Sequence, residues 1–497
     1  SRQSNVIGDI VSRTHPGLLT IRVEKDEHPE VKSLVILHTS SSFSEAGVVL
    51  DNCRLSDELW SKVLVLRNKV PNNFVSEIKG PKNVALSCSD VVAMRLFGDD
   101  YSKDMLRVVG SVIERSNINQ IQIELYRDHL AIEEGQILNV QVGNQSVMYQ
   151  VTNGITVSEE LLKADRHGYM QIRAKKVGFW DSDARTFEQV SWTPSIYSPV
   201  YLTPTTENKF DKDFIGFLPG TELGLTANCR ELVTHNTAIL GVLGSGKTTL
   251  AIELILRMAK KGIKVFIIDI TGEYERVLNN QTHVAGLEAP KKHEESEGFS
   301  FANEARIKSE VQGFLECDEQ FVKTAHIREF GELSPVKVTQ LISEAALAVL
   351  RKELSDDARL CLVLEEAHSL VPEWNSTVER SEQYQTNGTA KAIMQGRKHG
   401  FGCLLVTQRT ANVTKSILNQ CNTMFALQIF DDTGKEFLQN YFGEEYASML
   451  PSLPEFHCVA FGRGLNAKTP ILIKLNDSED FRNSLVFKGS SEMSCNS

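Results

Sequence analysis

Between a short apolar run and a long amphipathic segment, the chain places the pattern G-x4-G-K-T at Gly241, Gly246, Lys247 and Thr248. Glycines at 241, 244 and 246 let the backbone turn tightly and bring its N–H groups onto phosphates with no Cβ in the way. A helix opening at Thr248 would direct its positive end at the same charge. Lys247 then reaches the β- and γ-phosphates, and the Thr248 hydroxyl holds Mg2+. The candidate nucleotide site is Gly241, Gly244, Ser245, Gly246, Lys247, Thr248 and Thr249, with ATP and Mg2+ as cofactors. The surroundings agree with this. Ala238-Ile239-Leu240 reads as a buried strand, Glu253 and Arg257 form an i,i+4 pair, and Gly262 stops the helix after Lys260 and Lys261.

Three further clusters carry candidate chemistry. In LCLVLEEAH (Leu360 to His368) an apolar run ends in two acids, which puts Glu365 and Glu366 at the carboxyl end of a buried strand. Side chains alternate across a strand, so the two cannot do the same work. Glu365 is read as orienting the Mg2+ shell and Glu366 as polarising the attacking water. A Glu-Glu pair after an apolar run is usually structural; its place about 120 residues beyond a phosphate loop, in the same sheet, favours function. At the end of the next strand, in VTQR (Val406 to Arg409), Gln408 is positioned to sense a γ-phosphate or hold water, against the plain alternative of a polar strand end. In QGRKHG (Gln395 to Gly400), Arg397 or Lys398 is a candidate arginine-finger-type cation acting across a subunit interface, with Arg409 a competitor and a solvated helix end the bland alternative.

The elements that must position these residues alternate buried strand runs with helices, the pattern of an α/β domain with a mostly parallel sheet. The strand runs are Lys264–Ile270, Lys323–Phe330, Leu360–Glu366, Gly402–Gln408 and Thr423–Phe430, closed by His457–Phe461 and Ile471–Lys474, and the charged PKKHEESEG (Pro290 to Gly298) reads as a solvated loop. Upstream, VVGSVIE, QIQIELY, ILNVQVG, SVMYQVT and YMQIRAKKVGFW alternate at hairpin spacing, with Gly143-Asn144 as a turn, and predict a small β-barrel ending near Trp192. Thr193–Thr206 is rich in Pro and Thr and reads as an extended linker. The first hundred residues are mixed: strands at Ile7–Val11, Leu18–Val23 and Leu34–Leu37, then a more helical stretch at Leu55–Arg67. The expected domains are a mixed α/β segment over 1–104, a barrel with linker over 105–206, a motor over 207–488 and a disordered tail over 489–497.

With 497 residues, 41% hydrophobic and 24% charged, the composition is that of an ordinary globular protein with room for two or three domains. Nine cysteines contain no C-x2-C pair, and the twelve histidines show no metal-ligand spacing. Several cysteines sit inside apolar strand runs, which points to a reducing cytoplasm. No apolar run approaches the roughly 18 residues that a membrane span needs, and no signal peptide opens the chain, so no membrane partner is expected. The net charge of −11 speaks against a generally basic, nucleic-acid-coating surface and leaves room for a local basic channel. Arg380, Lys391, Arg397 and Lys398 supply candidates for one, around a stretch from Glu379 to Gly388 that reads as a flexible channel loop.

Taken together, GVLGSGKT, IIDITGEY (Ile267 to Tyr274), LEEAH and GRKHGFGCLLVTQR resemble the HerA branch of the HerA/FtsK ATPases over residues 215–475. The resemblance implies a RecA-like P-loop NTPase core, a hexameric ring acting as a DNA translocase or helicase, a small β-barrel before the motor, and an arginine supplied by the neighbouring subunit. Relatives in that family work with a separate nuclease, or with a sirtuin-like effector in anti-phage defence. The family usually carries Asp-Pro-His-Gly-Glu-Tyr where this chain has Asp269-Ile270-Thr271-Gly272-Glu273-Tyr274. Nothing outside the motor resembles a nuclease centre, so DNA cutting or NAD consumption would fall to another polypeptide. Two rivals remain: a ring scaffold that displays an effector without translocating, and a conjugation-type coupling ATPase, which the absence of a membrane span disfavours.

Overall fold

β-Branched and apolar residues fill Leu18–Val23 and Leu34–His38, and both become strands of a closed barrel in the structure, a computed structural model that describes residues 5–24, 29–39, 43–55, 57–71, 83–126, 132–157, 169–206, 210–279, 304–374 and 380–485. The chain divides into two compact units, residues 1–181 with 187–206, and residues 182–186 with 207–497.

The first unit holds two barrels. One is built from β1 (Val6–His15), β2 (Leu18–Val23), β3 (Leu34–His38), β4 (Phe43–Leu55), β5 (Glu58–Pro71) and β6 (Val84–Ser87), in the order β1-β2-β5-β4-β3-β6, with β6 returning to β1. Two short helices, Asp90–Phe97 and Tyr101–Leu106, follow it. The first hundred residues are thus a β-barrel with two appended helices rather than a mixed α/β segment. The stretch predicted as helical, Leu55–Arg67, is the tight β4–β5 hairpin instead. Its strand is buried on both faces, with Val63 and Val65 in the barrel interior and Leu64 in a separate cluster with Ala93 and Met105. Burial on both sides erases the period-two signal, so the run imitates a helix.

The second barrel uses β7 (Val108–Val112), β8 (Gln120–Leu125), β9 (Ile137–Val142), β10 (Gln145–Val157), β11 (Tyr169–Asp181), β12 (Thr186–Glu188) and β13 (Pro199–Leu202), in the order β10-β9-β13-β7-β8-β11-β12, and closes where β10 pairs with β11. The five alternating runs of the sequence account for β7 to β11. The Pro- and Thr-rich segment is no linker throughout: β13 pairs with β7 on one side and β9 on the other, and Val200 is fully buried in the barrel core.

In the second unit ten strands form one mixed sheet: β14 (Phe214–Phe217), β15 (Gly224–Thr226), β16 (Thr237–Leu240), β17 (Lys264–Asp269), β18 (Val322–His326), β19 (Ser355–Leu364), β20 (His399–Thr407), β21 (Thr423–Ala426), β22 (His457–Gly462) and β23 (Ile471–Leu475), ordered β15-β14-β23-β22-β21-β16-β20-β19-β17-β18. The six neighbours from β21 to β18 are parallel. The other four strands join antiparallel, so the sheet is mixed, with its parallel part the larger. Strand β16 lies between β20 and β21, and the chain leaves it for β17 beyond two intervening strands. Connections diverge at that point, which opens a crevice beyond the carboxyl ends of the strands where ligands bind in such sheets.

The helix Lys247–Lys260 follows β16 and ends as its sequence requires: Gly262 takes φ 78, its N–H donates to Ala259 O at 3.0 Å, and Ile263 N–H donates to Met258 O at 3.0 Å. The Glu253–Arg257 pair forms at 2.7 Å and is mostly buried. Arg257 also donates to Phe214 O at 2.7 Å, and Asn476 Nδ2 donates to Glu253 Oε1 at 3.0 Å, which ties the helix to β14 and to the end of β23. The expected channel loop is corrected as well: Arg380–Gly396 is a helix, and Pro372–Trp374 precedes five undescribed residues. Its core side is made of small and polar groups, with Thr386, Thr389, Ala390 and Ile393 buried. A Cβ on Gly388 would come within 2.8 Å of Glu344 Oε1 on the helix Pro335–Leu350, so the two helices approach at a glycine. Pro290–Gly298 and residues 489–497 lie outside the described residues.

Glycine positions test this packing. A Cβ on Gly402 in β20 would sit 1.8 Å from Val233 O, whereas one on Gly313 in the helix Glu304–Glu316 meets nothing within 4 Å. Gly402→Ala is expected to cost about 3 kcal/mol in urea unfolding, at the upper end for overpacked cores. Gly313→Ala should be neutral or add up to about 1 kcal/mol.

Candidate nucleotide site

The phosphate loop is suspended between two neighbouring strand ends. Gly241 N–H donates to O of Thr407, the last residue of β20, at 3.3 Å, and Val242 N–H donates to Gln428 O at 2.8 Å, beyond β21. Gly244 at φ 81 and Gly246 at φ 108 hold the left-handed conformations that bend the loop. Ser245 Oγ and Lys247 Nζ both donate to Val242 O, at 2.8 and 2.9 Å, so the lysine folds back across its own loop. Thr248 and Thr249 are half-buried in the first turn of the helix. Lys247 is buried, which lowers its pKa, and the carboxylates of Glu366, Glu365 and Glu273 oppose that fall.

Strand β19 stops at Leu364, one residue before the acid pair, and Glu366 takes φ 48 and ψ 53 as it opens the short helix Ala367–Leu370. A glutamate in the left-handed region is strained, and such strain collects at functional sites. The turn, more than strand alternation, sends the two acids into different surroundings. Burial pushes Glu365 up to about 8; Glu366 and Asp269 add to the rise, while Tyr274 and Lys247 oppose it. Burial acts on Glu366 too, but His368, Lys247 and the backbone N–H of Gln408 outweigh it and hold that carboxyl below its ordinary value. His368 Nδ1 lies 3.2 Å from Glu366 Oε2 and 3.3 Å from Thr407 Oγ1. One acid is therefore inclined to carry a proton at neutral pH, and the other is held as the anion. That division equips Glu366 to accept a proton from water.

The turn after β17 supplies a third carboxylate. Thr248 Oγ1 donates to Glu273 Oε2 at 3.3 Å. Asp269, wholly buried, accepts Gly272 N–H at 2.8 Å and Glu275 N–H at 3.1 Å, and so shapes the turn that presents Glu273. Gly272 stands at φ 76, and a Cβ there would come within 2.7 Å of His326 Nε2, at the end of β18. Asp269, Glu273, Tyr274 and His368 were not assigned site roles from sequence. The available signal was a second acid-ended strand, IIDITGEY, followed by a glycine turn.

Lys247, Thr248, Glu365, Glu366 and Gln408 thus come together at one edge of the sheet, with Gln408 half-buried at the end of β20. Arg397 does not join them. It precedes the amino end of β20, a nine-residue strand that separates it from Gln408 by roughly 25–30 Å. There its Nη2 donates to His235 Nε2 at 2.7 Å. Arg409 is exposed beside Gln408, at the nucleotide edge.

The residues fit a magnesium nucleotide. Glu365 Oε2 and the Tyr274 hydroxyl are buried with no aligned hydrogen-bond partner, so that carboxylate retains capacity for a further ligand. A Cβ position on Gly244 faces open space. Among the described residues no group of three or more His, Cys, Asp or Glu forms a protein-only metal cage.

Residues 213–387 match the family model described as Helicase HerA, central domain. A probable helicase of Methanocaldococcus jannaschii is 24% identical over 166 residues, covering 32% of this chain and 31% of the relative. The DNA double-strand break repair helicase HerA of Saccharolobus solfataricus is 25% identical over 165 residues, covering 29% and 31%. The chain therefore spans about a third of the length of these curated relatives. The genome packaging NTPase B204 of Sulfolobus turreted icosahedral virus 2, solved with ATP-gammaS, superposes with a TM-score of 0.33 at 16% identity, over 48% of this chain and 96% of that one.

His368→Ala removes a group that holds Glu366 anionic. Supporting residues of this kind typically cost 10–100-fold on loss, so nucleotide turnover should fall by roughly that factor while nucleotide affinity measured by calorimetry is retained. Unchanged turnover would detach His368 from the chemistry.

Proposed function

We propose, from the premise that the central domain of this chain belongs to the HerA branch of the HerA/FtsK ATPases, that the protein is a Mg-ATP-driven DNA translocase working as a ring. The observation that carries the reading is the pair Glu365 and Glu366, driven to opposite protonation states beside a buried phosphate-loop lysine. The loop N–H groups and Lys247 bind the phosphates, and Thr248 and Glu365 would hold the metal side of the site, the cation displacing to solvent the proton that burial favours on Glu365. Glu366 takes the proton of the attacking water, and Gln408, whose N–H already faces Glu366, senses the γ-phosphate. Magnesium, when bound, neutralises phosphate charge and orients the transferring group. The ring is a homo-hexamer in the cytoplasm, and a neighbouring subunit supplies the arginine. Arg397 suits that role because it stands away from its own phosphate loop, and Arg409 is the second candidate. DNA passes through a central channel lined by the helix Arg380–Gly396, whose Arg380 and Lys391 are exposed, as is Lys398 just beyond it. A separate nuclease or sirtuin-like effector, in DNA end processing or anti-phage defence, completes the activity.

Lys247→Ala should abolish ATP binding, whereas Glu366→Gln should bind ATP and lose turnover by about a hundredfold or more. Normal turnover in Glu366→Gln would remove Glu366 as the base.

DNA stimulation of the ATPase, on particles sized by native mass, tests the motor. Replacing Arg380 and Lys391 together should weaken DNA binding and flatten its salt dependence, since each lost phosphate contact lowers the slope by about one. A ring that binds no DNA, and hydrolyses ATP no faster with DNA present, would instead be a scaffold for its effector.

A further inference from the structure

The aromatic residue Phe456 is held against the phosphate loop by its backbone, and the nucleotide chemistry above makes no use of it. It sits in the turn before β22 with φ 59, a left-handed conformation that a bulky side chain rarely adopts. Its N–H donates to Ser245 O at 3.1 Å, inside the loop, and its carbonyl accepts Leu475 N–H at 2.8 Å from β23. The ring lies on the loop itself: its Cδ1 would be 2.9 Å from a Cβ on Gly246, and its Cε1 3.4 Å. Even so, 41% of the residue is exposed. Core packing does not account for these facts together. An apolar ring left in water loses the benefit of burial, and the two backbone bonds hold it there in a strained conformation.

We propose that Phe456 is the platform on which the nucleobase of the bound nucleotide stacks. The inference rests on the reading of the loop as a nucleotide site. Loop and lysine recognise only phosphate, which any polyphosphate offers, whereas a flat aromatic face beside Gly246 recognises a base. Stacking uses a π-face that every base possesses and makes no hydrogen bond to its edge. Phe456 therefore selects nucleotides over inorganic polyphosphates and discriminates little among bases. It also accounts for a second demand on Gly246: beyond its left-handed φ, a side chain there would displace the ring.

The test compares Mg-ADP with inorganic pyrophosphate, both by calorimetry, on the full chain. Phe456→Leu should lose roughly ten- to hundredfold in ADP affinity, the range of one base–aromatic stack, and keep its pyrophosphate affinity. Phe456→Trp should keep ADP affinity, and its added indole emission, relative to wild type with its four tryptophans, should be quenched by ADP and not by pyrophosphate. The proposal is overturned if Phe456→Leu binds ADP as wild type does, or if it loses both ligands equally, which would make the ring a support for the loop. Should Phe456→Leu fail to fold, the tryptophan variant decides: ADP binding without quenching overturns the platform. Wild-type protein that binds neither ligand, and behaves as Lys247→Ala does, would sink the nucleotide reading of the loop itself; a failure of the platform alone leaves that reading standing.

Discussion

A buried lysine among three acidic side chains is the interaction on which the second unit depends. Lys247 is nearly removed from water, and its charge is sustained by Glu366, Glu365 and Glu273, which arrive from two different strand ends. Such an arrangement is balanced only while the strands keep their order. Moving β19 or β17 by one position would leave a buried cation without its counter-charges, an expensive state in a medium of low polarity. The parallel half of the sheet, with β16 buried throughout and β17 and β20 buried beyond their first residues, supplies the rigidity that holds the strand ends in register.

The same electrostatics explain why two adjacent glutamates diverge. Both lose solvent, yet Glu366 lies beside His368 and the Gln408 N–H, which favour its anion, while acids around Glu365 add to its rise against the opposing Tyr274 and Lys247. Alternation of side chains along a strand predicts different work for the two acids. The structure reaches the same division by another route, since the strand has ended and Glu366 adopts a left-handed turn. Type and position of the acids were legible; the cause of their difference lies in tertiary neighbours that no spacing reveals.

Legibility elsewhere follows the same division between local and distant causes. The phosphate loop, its helix with a glycine stop, and the alternating strands β7 to β11 are set by local chemistry, and all could be read from the chain. Strand β5 could not, because it is buried on both faces and shows no period of two. Strand β13 is short and opens with a proline, so only its pairing with β7 and β9 defines it. The helix Arg380–Gly396 contains Asn387-Gly388, a turn signal in sequence. It is helical because that glycine admits Glu344 and Gln340 of the facing helix.

Arg397 is held by a polar contact at the sheet edge opposite the phosphate loop. Its partner His235 has its pKa lowered by burial and by the guanidinium, so the ring stays neutral and its Nε2 can accept from Arg397 Nη2. On its other side, His235 Nδ1 lies 3.1 Å from Glu231 Oε2, and that oxygen also accepts from Arg463 Nε at 2.9 Å. The guanidinium is thus oriented by a buried imidazole, itself fixed by a carboxylate, much as catalytic groups elsewhere are set by the residue behind them. An arginine oriented in this way at the amino end of β20 cannot serve the phosphate loop of its own chain, because the length of the strand lies between them. If it meets a γ-phosphate, it does so in a neighbouring subunit.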